Sequence, residues 1–186
     1  MKIKSNLRLF IFQAIASICA IFTFVFTFVK AYFEESKADL SLFEMAIGVE
    51  DRLPTNGILI FGFILIAIGM IVAIGLTILL IIKDSKDIEK ILTIGGIVSG
   101  LSILIGGILL ACSIFITGLN ETNSALGFTQ GNWGIKSGNI LVPVFALVSF
   151  ICSYPSACVI LHRKDQEDKL KKFIKSQNLI KKEFKV

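Results

Sequence analysis

Four stretches without a single charged residue constrain this chain more than anything else in it: Leu9–Val29, Leu53–Ile82, Ile91–Asn120 and Ser137–Leu161. The hydrocarbon core of a bilayer is about 30 Å thick, and a helix rises about 1.5 Å per residue, so about 20 apolar residues cross it. Each stretch is long enough. Inside lipid, only helices and closed barrels satisfy their own backbone. None of the four shows the period-two alternation of a strand. The expected fold is an all-α integral membrane protein, a bundle of four transmembrane helices at about 8–29, 57–82, 91–117 and 139–161. These make one domain over 1–161, followed by a basic amphipathic tail over 162–186. The composition agrees: 54% of the 186 residues are hydrophobic and 18% charged, against about 25% charged in soluble domains.

The first stretch follows Lys2, Lys4 and Arg8, as a signal peptide would. Its apolar core is longer than an h-region of about 7–15 residues, and no small-residue cleavage site precedes Lys30. An uncleaved anchor helix is expected.

Basic residues set the orientation. With four crossings, the N-terminal segment, the turn holding Lys83, Lys86 and Lys90, and the tail lie on one side. They carry fifteen of the nineteen Lys and Arg residues. Lys30, Lys37, Arg52 and Lys136 lie on the other. The positive-inside rule places both termini in the cytoplasm of a cell-membrane protein. The formal net charge of +5 is thus a topology signal and gives no reason to expect a nucleic-acid partner.

The first outer loop, over 30–56, carries Glu34, Glu35, Asp39, Glu44, Glu50 and Asp51, read as ordinary solvation. Tyr32 and Trp133 flank outer helix ends, where aromatic rings favour the headgroup zone. Within the loop, Ser41 followed by Glu44 is a capping-box pattern, and Gly48 suits a helix C-terminus. A short amphipathic extracellular helix is expected there, with a short strand as the alternative.

The third stretch holds the densest glycines. Gly96, Gly100, Ile103, Gly107 and Ala111 fall along one helical stripe; Gly95, Ser99, Ser102, Gly106 and Ser113 fall along another. Helices in lipid associate through close backbone approach at small residues. Two stripes imply neighbours on two sides, so the third span is expected to be central. Gly69 and Ala73 belong to a matching stripe with Gly62 and Thr77 on the second span. The short turn at 83–90 makes these two spans antiparallel neighbours. Pro155 should kink the fourth span.

Little catalytic chemistry is on offer. No Asp, Glu, Lys, Arg or His interrupts the four stretches, so an ion-coupled pump is not expected. Gln13 is the most polar side chain within them. His162 is the one histidine, and Cys19, Cys112, Cys152 and Cys158 form no C-x-x-C pair. No metal site, cofactor or catalytic residue is expected. The tryptophan with paired cysteines that marks the first outer loop of claudin-like tetraspan proteins is absent.

In the tail, Phe173 and Phe184 recur with Leu170, Ile174 and Ile180 among Lys169, Lys171, Lys172, Lys175, Lys181 and Lys182. A basic amphipathic helix of this kind lies on anionic inner-leaflet lipid. The expected function is non-enzymatic: a scaffold, accessory subunit or immunity-type protein acting through a membrane-protein partner, a homo-oligomer or lipid. The alternative is a passive channel or small permease formed by an oligomer.

Overall fold

In the computed structural model, residues 2–34, 37–49, 54–83, 88–117 and 134–154 are described. In chain order the elements are α1 (Lys2–Phe26), β1 (Lys30–Glu34), β2 (Lys37–Ser41), α2 (Leu42–Ile47), α3 (Gly57–Ile82), α4 (Glu89–Ala111), α5 (Ser113–Ile116), β3 (Gly134–Ile135) and α6 (Ser137–Tyr154). Four of the helices, α1, α3, α4 and α6, are long and apolar enough to cross a membrane.

Their buried positions explain how they pack. On α3 these are Leu59, Gly62, Ile66, Gly69, Ala73 and Leu76, alternating steps of three and four. On α1, Leu9, Gln13, Ala16, Ala20 and Thr23 repeat the pattern, which Thr27 continues just past its end. A mean step of about 3.5 residues keeps one narrow face on its partner and favours left-handed packing, crossing near 20°. The outward faces are apolar too: Ile64, Ile68, Ile71 and Ile78 on α3 are all exposed.

The four helices close into a ring. α1 meets α3 where Ser17 Oγ donates to the Ala73 carbonyl at 2.9 Å. α3 meets α4 at Gly69 and Gly106. α4 meets α6 at Gly100 and Gly107. α6 returns to α1, where Ser149 Oγ donates to the Ala16 carbonyl at 2.9 Å. Phe145 there stacks on Phe26 with centroids 5.4 Å apart. The third span therefore has a neighbour on each side, but so does every other span. The two glycine stripes record how close its neighbours come, and no span is central.

The expectation of an all-helical chain needs one correction. At one end of the bundle lies a three-stranded sheet of order β2-β1-β3, antiparallel throughout. β1 and β2 form a hairpin with Tyr32 opposite Leu40 and Glu34 opposite Lys37, and the register shifts twice along it. β3 is separated from β1 in sequence by two long helices, α3 and α4, and pairs Ile135 with Tyr32. The Lys136 N–H extends that edge by donating to the Ala31 carbonyl at 2.7 Å.

The short helix stands where the capping box placed it. Ser41 is at once the last residue of β2 and the N-cap of α2. Its Oγ accepts from the Glu44 N–H at 3.2 Å, and the Glu44 carboxylate accepts from the Ser41 N–H at 2.7 Å. Gly48 ends the helix at φ 83°, a backbone region that side-chain-bearing residues avoid. Asn56 then starts α3, its Oδ1 accepting from the N–H groups of Ile58 and Leu59 at 3.0 and 3.3 Å.

Helix ends differ from the expected spans at several points, with α1 already helical from Lys2 and α4 from Glu89. α1 stops at Phe26, and the N–H groups of Thr27, Phe28 and Val29 tighten the exit with bonds three residues back. α4 breaks after Ala111. α6 begins at Ser137, two residues before the expected start.

Candidate functional site: the cap and the bundle axis

The sheet and α2 form a cap over one end of the bundle. Leu42, Met45 and Ala46 of α2 and Ala31 and Tyr32 of β1 are each at most 1% exposed. They join Leu59, Ile66, Leu110 and Val142 from three of the long helices in one apolar cluster. Tyr32, expected beside an outer helix end, packs inside this cluster. It is buried, and its hydroxyl donates to the Ala111 carbonyl at 3.2 Å. The signal that could have found it is the run Lys30-Ala31-Tyr32-Phe33-Glu34, whose aromatic residues favour a pleated, half-buried strand.

Two ion pairs tie the cap's segments together. Lys30, at the start of β1, pairs with Glu44 of α2 at 3.3 Å and donates to the Asp39 carbonyl at 2.9 Å. Lys136, between β3 and α6, pairs with the Asp39 carboxylate. Both pairs are part-exposed, so each adds at most about 1 kcal/mol. They fix which loop lies against which. Burial pushes the Glu44 carboxyl up, but the Ser41 N–H, the Ser41 hydroxyl and the Lys30 ammonium together hold it below its ordinary value. Four phenylalanines, Phe24, Phe28, Phe43 and Phe63, close the flank between α1, α2 and α3, with neighbouring centroids 4.8–5.8 Å apart.

Below the cap, the axis alternates between apolar and polar layers. A waist of Ala20, Ala73, Ile103 and Ala146 comes first. A polar layer follows, built from Gln13, Ser17, Thr77, Ser99, Ser149 and Ser153. Leu9, Leu76, Ile88 and Leu92 close the far end. The polar layer is largely spent on holding helices together. The Ala73 carbonyl accepts from Gln13 Nε2 at 3.3 Å, from Ser17 Oγ at 2.9 Å and from Thr77 Oγ1 at 3.1 Å. Ser17 and Thr77 hydroxyls lie 2.7 Å apart. A hydroxyl of this kind becomes a nucleophile only beside a general base, and the four uncharged stretches supply none. Among the described residues no group of His, Cys, Asp and Glu could hold a metal ion.

The helix-packing residues read from the sequence fall as follows. A Cβ on Gly69 would lie 2.5 Å from Ile103 Cγ1 and 2.9 Å from the Ser99 carbonyl, on the α3–α4 face. Ala73 is fully buried in the waist. On α4, a Cβ on Gly107 would lie 2.7 Å from Ala146 Cβ, and one on Gly100 would lie 3.2 Å from both Phe150 and Ser153. Gly96 is buried, and Ala111 is half-buried at the end of α4. The tail residues Lys169, Lys171, Lys172, Phe173, Lys175, Lys181, Lys182 and Phe184 lie outside the described residues, as do Trp133, Pro155, Cys158 and His162.

The fold and axis define a chain with four helices able to span a membrane, capped at one end by a small sheet. No family model matches it, and no curated protein or solved structure does either.

Proposed function

We infer that this chain is a multi-pass protein of the cell membrane, with its termini in the cytoplasm and its cap outside, that works through contact with a membrane-protein partner or lipid and performs no catalysis. The observation that carries the reading is the apolar filling of the axis. A conduit needs a continuous polar or hydrated line. Here the polar layer sits between the Leu9–Leu76–Ile88–Leu92 layer and the waist, with Tyr32, Leu42 and Met45 above. Ser17, Thr77 and Ser149 of the polar layer bond neighbouring helices, and Ser99 bonds the Gly96 carbonyl of its own helix. Orientation rests on the distribution of basic residues.

The test combines two measurements on one preparation. The protein is extracted from its native membrane in mild detergent after in-cell photo-crosslinking from Ile47, an exposed residue of the cap. The purified chain is also reconstituted in liposomes loaded with potassium ions or glycerol. A discrete cross-linked partner band with solute leakage no faster than from empty liposomes supports the reading. Protein-dependent efflux without a partner band overturns it in favour of a channel.

A further inference from the structure

An α-helix continues by bonding each N–H to the carbonyl four residues back. At the end of α4 this rule breaks. The Cys112 N–H still reaches the Ile108 carbonyl at 3.0 Å, but the Phe115 N–H bonds the Cys112 carbonyl, also at 3.0 Å. The Ala111 carbonyl thereby loses its usual helical donor. The Tyr32 hydroxyl takes that place at 3.2 Å, from the middle strand of the cap. Ser113, the first residue past the break, aims its Oγ at the Tyr32 hydroxyl (3.4 Å) and at Met45 Sδ of α2 (3.6 Å). Two cap elements therefore converge on one break in one long helix.

We propose that this contact transmits movement: Tyr32 couples the position of the cap to the bend between α4 and α5, so that a partner shifting the cap also shifts α4. Backbone bonds tie α2 to the α1 exit and to the start of α3, the Phe43 N–H donating to the Thr27 carbonyl and the Asn56 N–H to the Ala46 carbonyl, each at 3.0 Å. Toward α4 the cap's other described contacts are apolar, as where Leu42 and Met45 cluster with Leu110, and apolar packing tolerates small slides. A hydrogen bond does not, because it is directional and moving its donor costs the half-buried Ala111 carbonyl its partner. The ion pairs of Lys30 and Lys136 join cap segments and helix entries to one another, and neither involves a residue of α4. The proposal rests on the reading that the cap is the face a partner touches, but only for what drives the movement. Its test needs no partner, so the two readings fail separately.

Gly138 supplies the lever. A Cβ there would lie 2.5 Å from the Val29 carbonyl oxygen and 3.0 Å from that of Lys30, at the entry to β1. Gly138→Ala is therefore a wedge that displaces β1 two residues before Tyr32.

The experiment is amide hydrogen exchange of the full chain in lipid nanodiscs, read over 112–117, with α1 as the reference for global opening. Four proteins are compared: wild type, Gly138→Ala, Tyr32→Phe and the double variant. Either single change is expected to speed exchange over 112–117 by about three- to tenfold, the equivalent of one hydrogen bond's net contribution. The double variant should exchange no faster than Tyr32→Phe alone, because the link is already cut. No acceleration in Gly138→Ala, or a double variant accelerated by the product of the singles, overturns the proposal. Should Gly138→Ala fail to fold, Ser113→Ala tests the same link from the other side. Coupling is reciprocal, so Ser113→Ala must raise exchange over 30–34 when Tyr32 is present and not in the Tyr32→Phe background. No rise, or an equal rise in both, refutes the coupling.

Discussion

The closest approach of helix backbones predicts opposite outcomes for two glycine-to-alanine changes made at helical positions. A Cβ added at Gly106 would lie 2.5 Å from the Gly62 carbonyl oxygen and 2.8 Å from Ile66 Cγ1. The first of these is backbone, so α3 and α4 must separate along their whole shared face. Overpacking of that kind costs about 1–3 kcal/mol, and the alanine returns about 0.5–1 kcal/mol of helix propensity. The net for Gly106→Ala is a loss of up to about 2.5 kcal/mol. At Gly75, on the outward side of α3, a Cβ would meet nothing within 4 Å. Gly75→Ala keeps the propensity gain alone and should stabilise by about 0.5–1 kcal/mol. Thermal unfolding in one mild detergent, with wild type alongside, reads both. A shift in the same direction for the two variants would refute the claim that Gly106 lies at a backbone contact and Gly75 does not.

Three further outcomes are expected. Gly100→Leu and Gly107→Leu should each lower the melting temperature, since their faces meet Phe150, Ser153 and Ala146. Ile105→Leu, on an exposed position, should leave melting unchanged. The Glu44 carboxyl is held below its ordinary value in the folded chain, so its contribution is complete above the ordinary carboxylate range and is lost as pH falls through the lowered value. Exchange protection of α2 should therefore weaken on acidification in the wild type and respond less in Glu44→Gln. Finally, a synthetic peptide of 169–186 should gain helicity on anionic vesicles and not on neutral ones, with binding weakened by salt as the Debye length falls from about 10 Å at 0.1 M to about 3 Å at 1 M. A coil spectrum on anionic vesicles would mark the tail as a topology signal alone.

What was legible in the sequence is what local pattern dictates. The second span is expected at 57–82, and α3 is Gly57–Ile82, because Asn56 caps it and uncharged residues fill it. The helix α2 follows from Ser41, Glu44 and Gly48, three residues close together in sequence. The glycine stripes point to close neighbours on two faces of α4, where Gly106 and Gly107 mark contacts with α3 and α6. The sheet was not legible. β3 is two residues long and its pairing with β1 reaches across two long helices in sequence, so no local period announces it. The acidic residues Asp39 and Glu44 read as solvated because their partners, Lys136 and Lys30, are set by the fold. The break at Cys112 was equally hidden: its carbonyl partner is a hydroxyl on another element, Tyr32, 79 residues from Ala111 in sequence.

The central claim is that the bundle axis is filled and the chain works from its surface. Cysteine accessibility along that axis tests it most directly. In a variant lacking the native cysteines, Ala20→Cys and Ala146→Cys are placed in the waist and Ser137→Cys at the exposed start of α6. A small water-soluble thiosulfonate is then applied from both sides of sealed vesicles holding the protein. The account predicts rapid modification at Ser137→Cys and none at either waist position. Modification of the waist at a rate comparable to Ser137→Cys would mean that water reaches the centre of the bundle, and it would contradict the account.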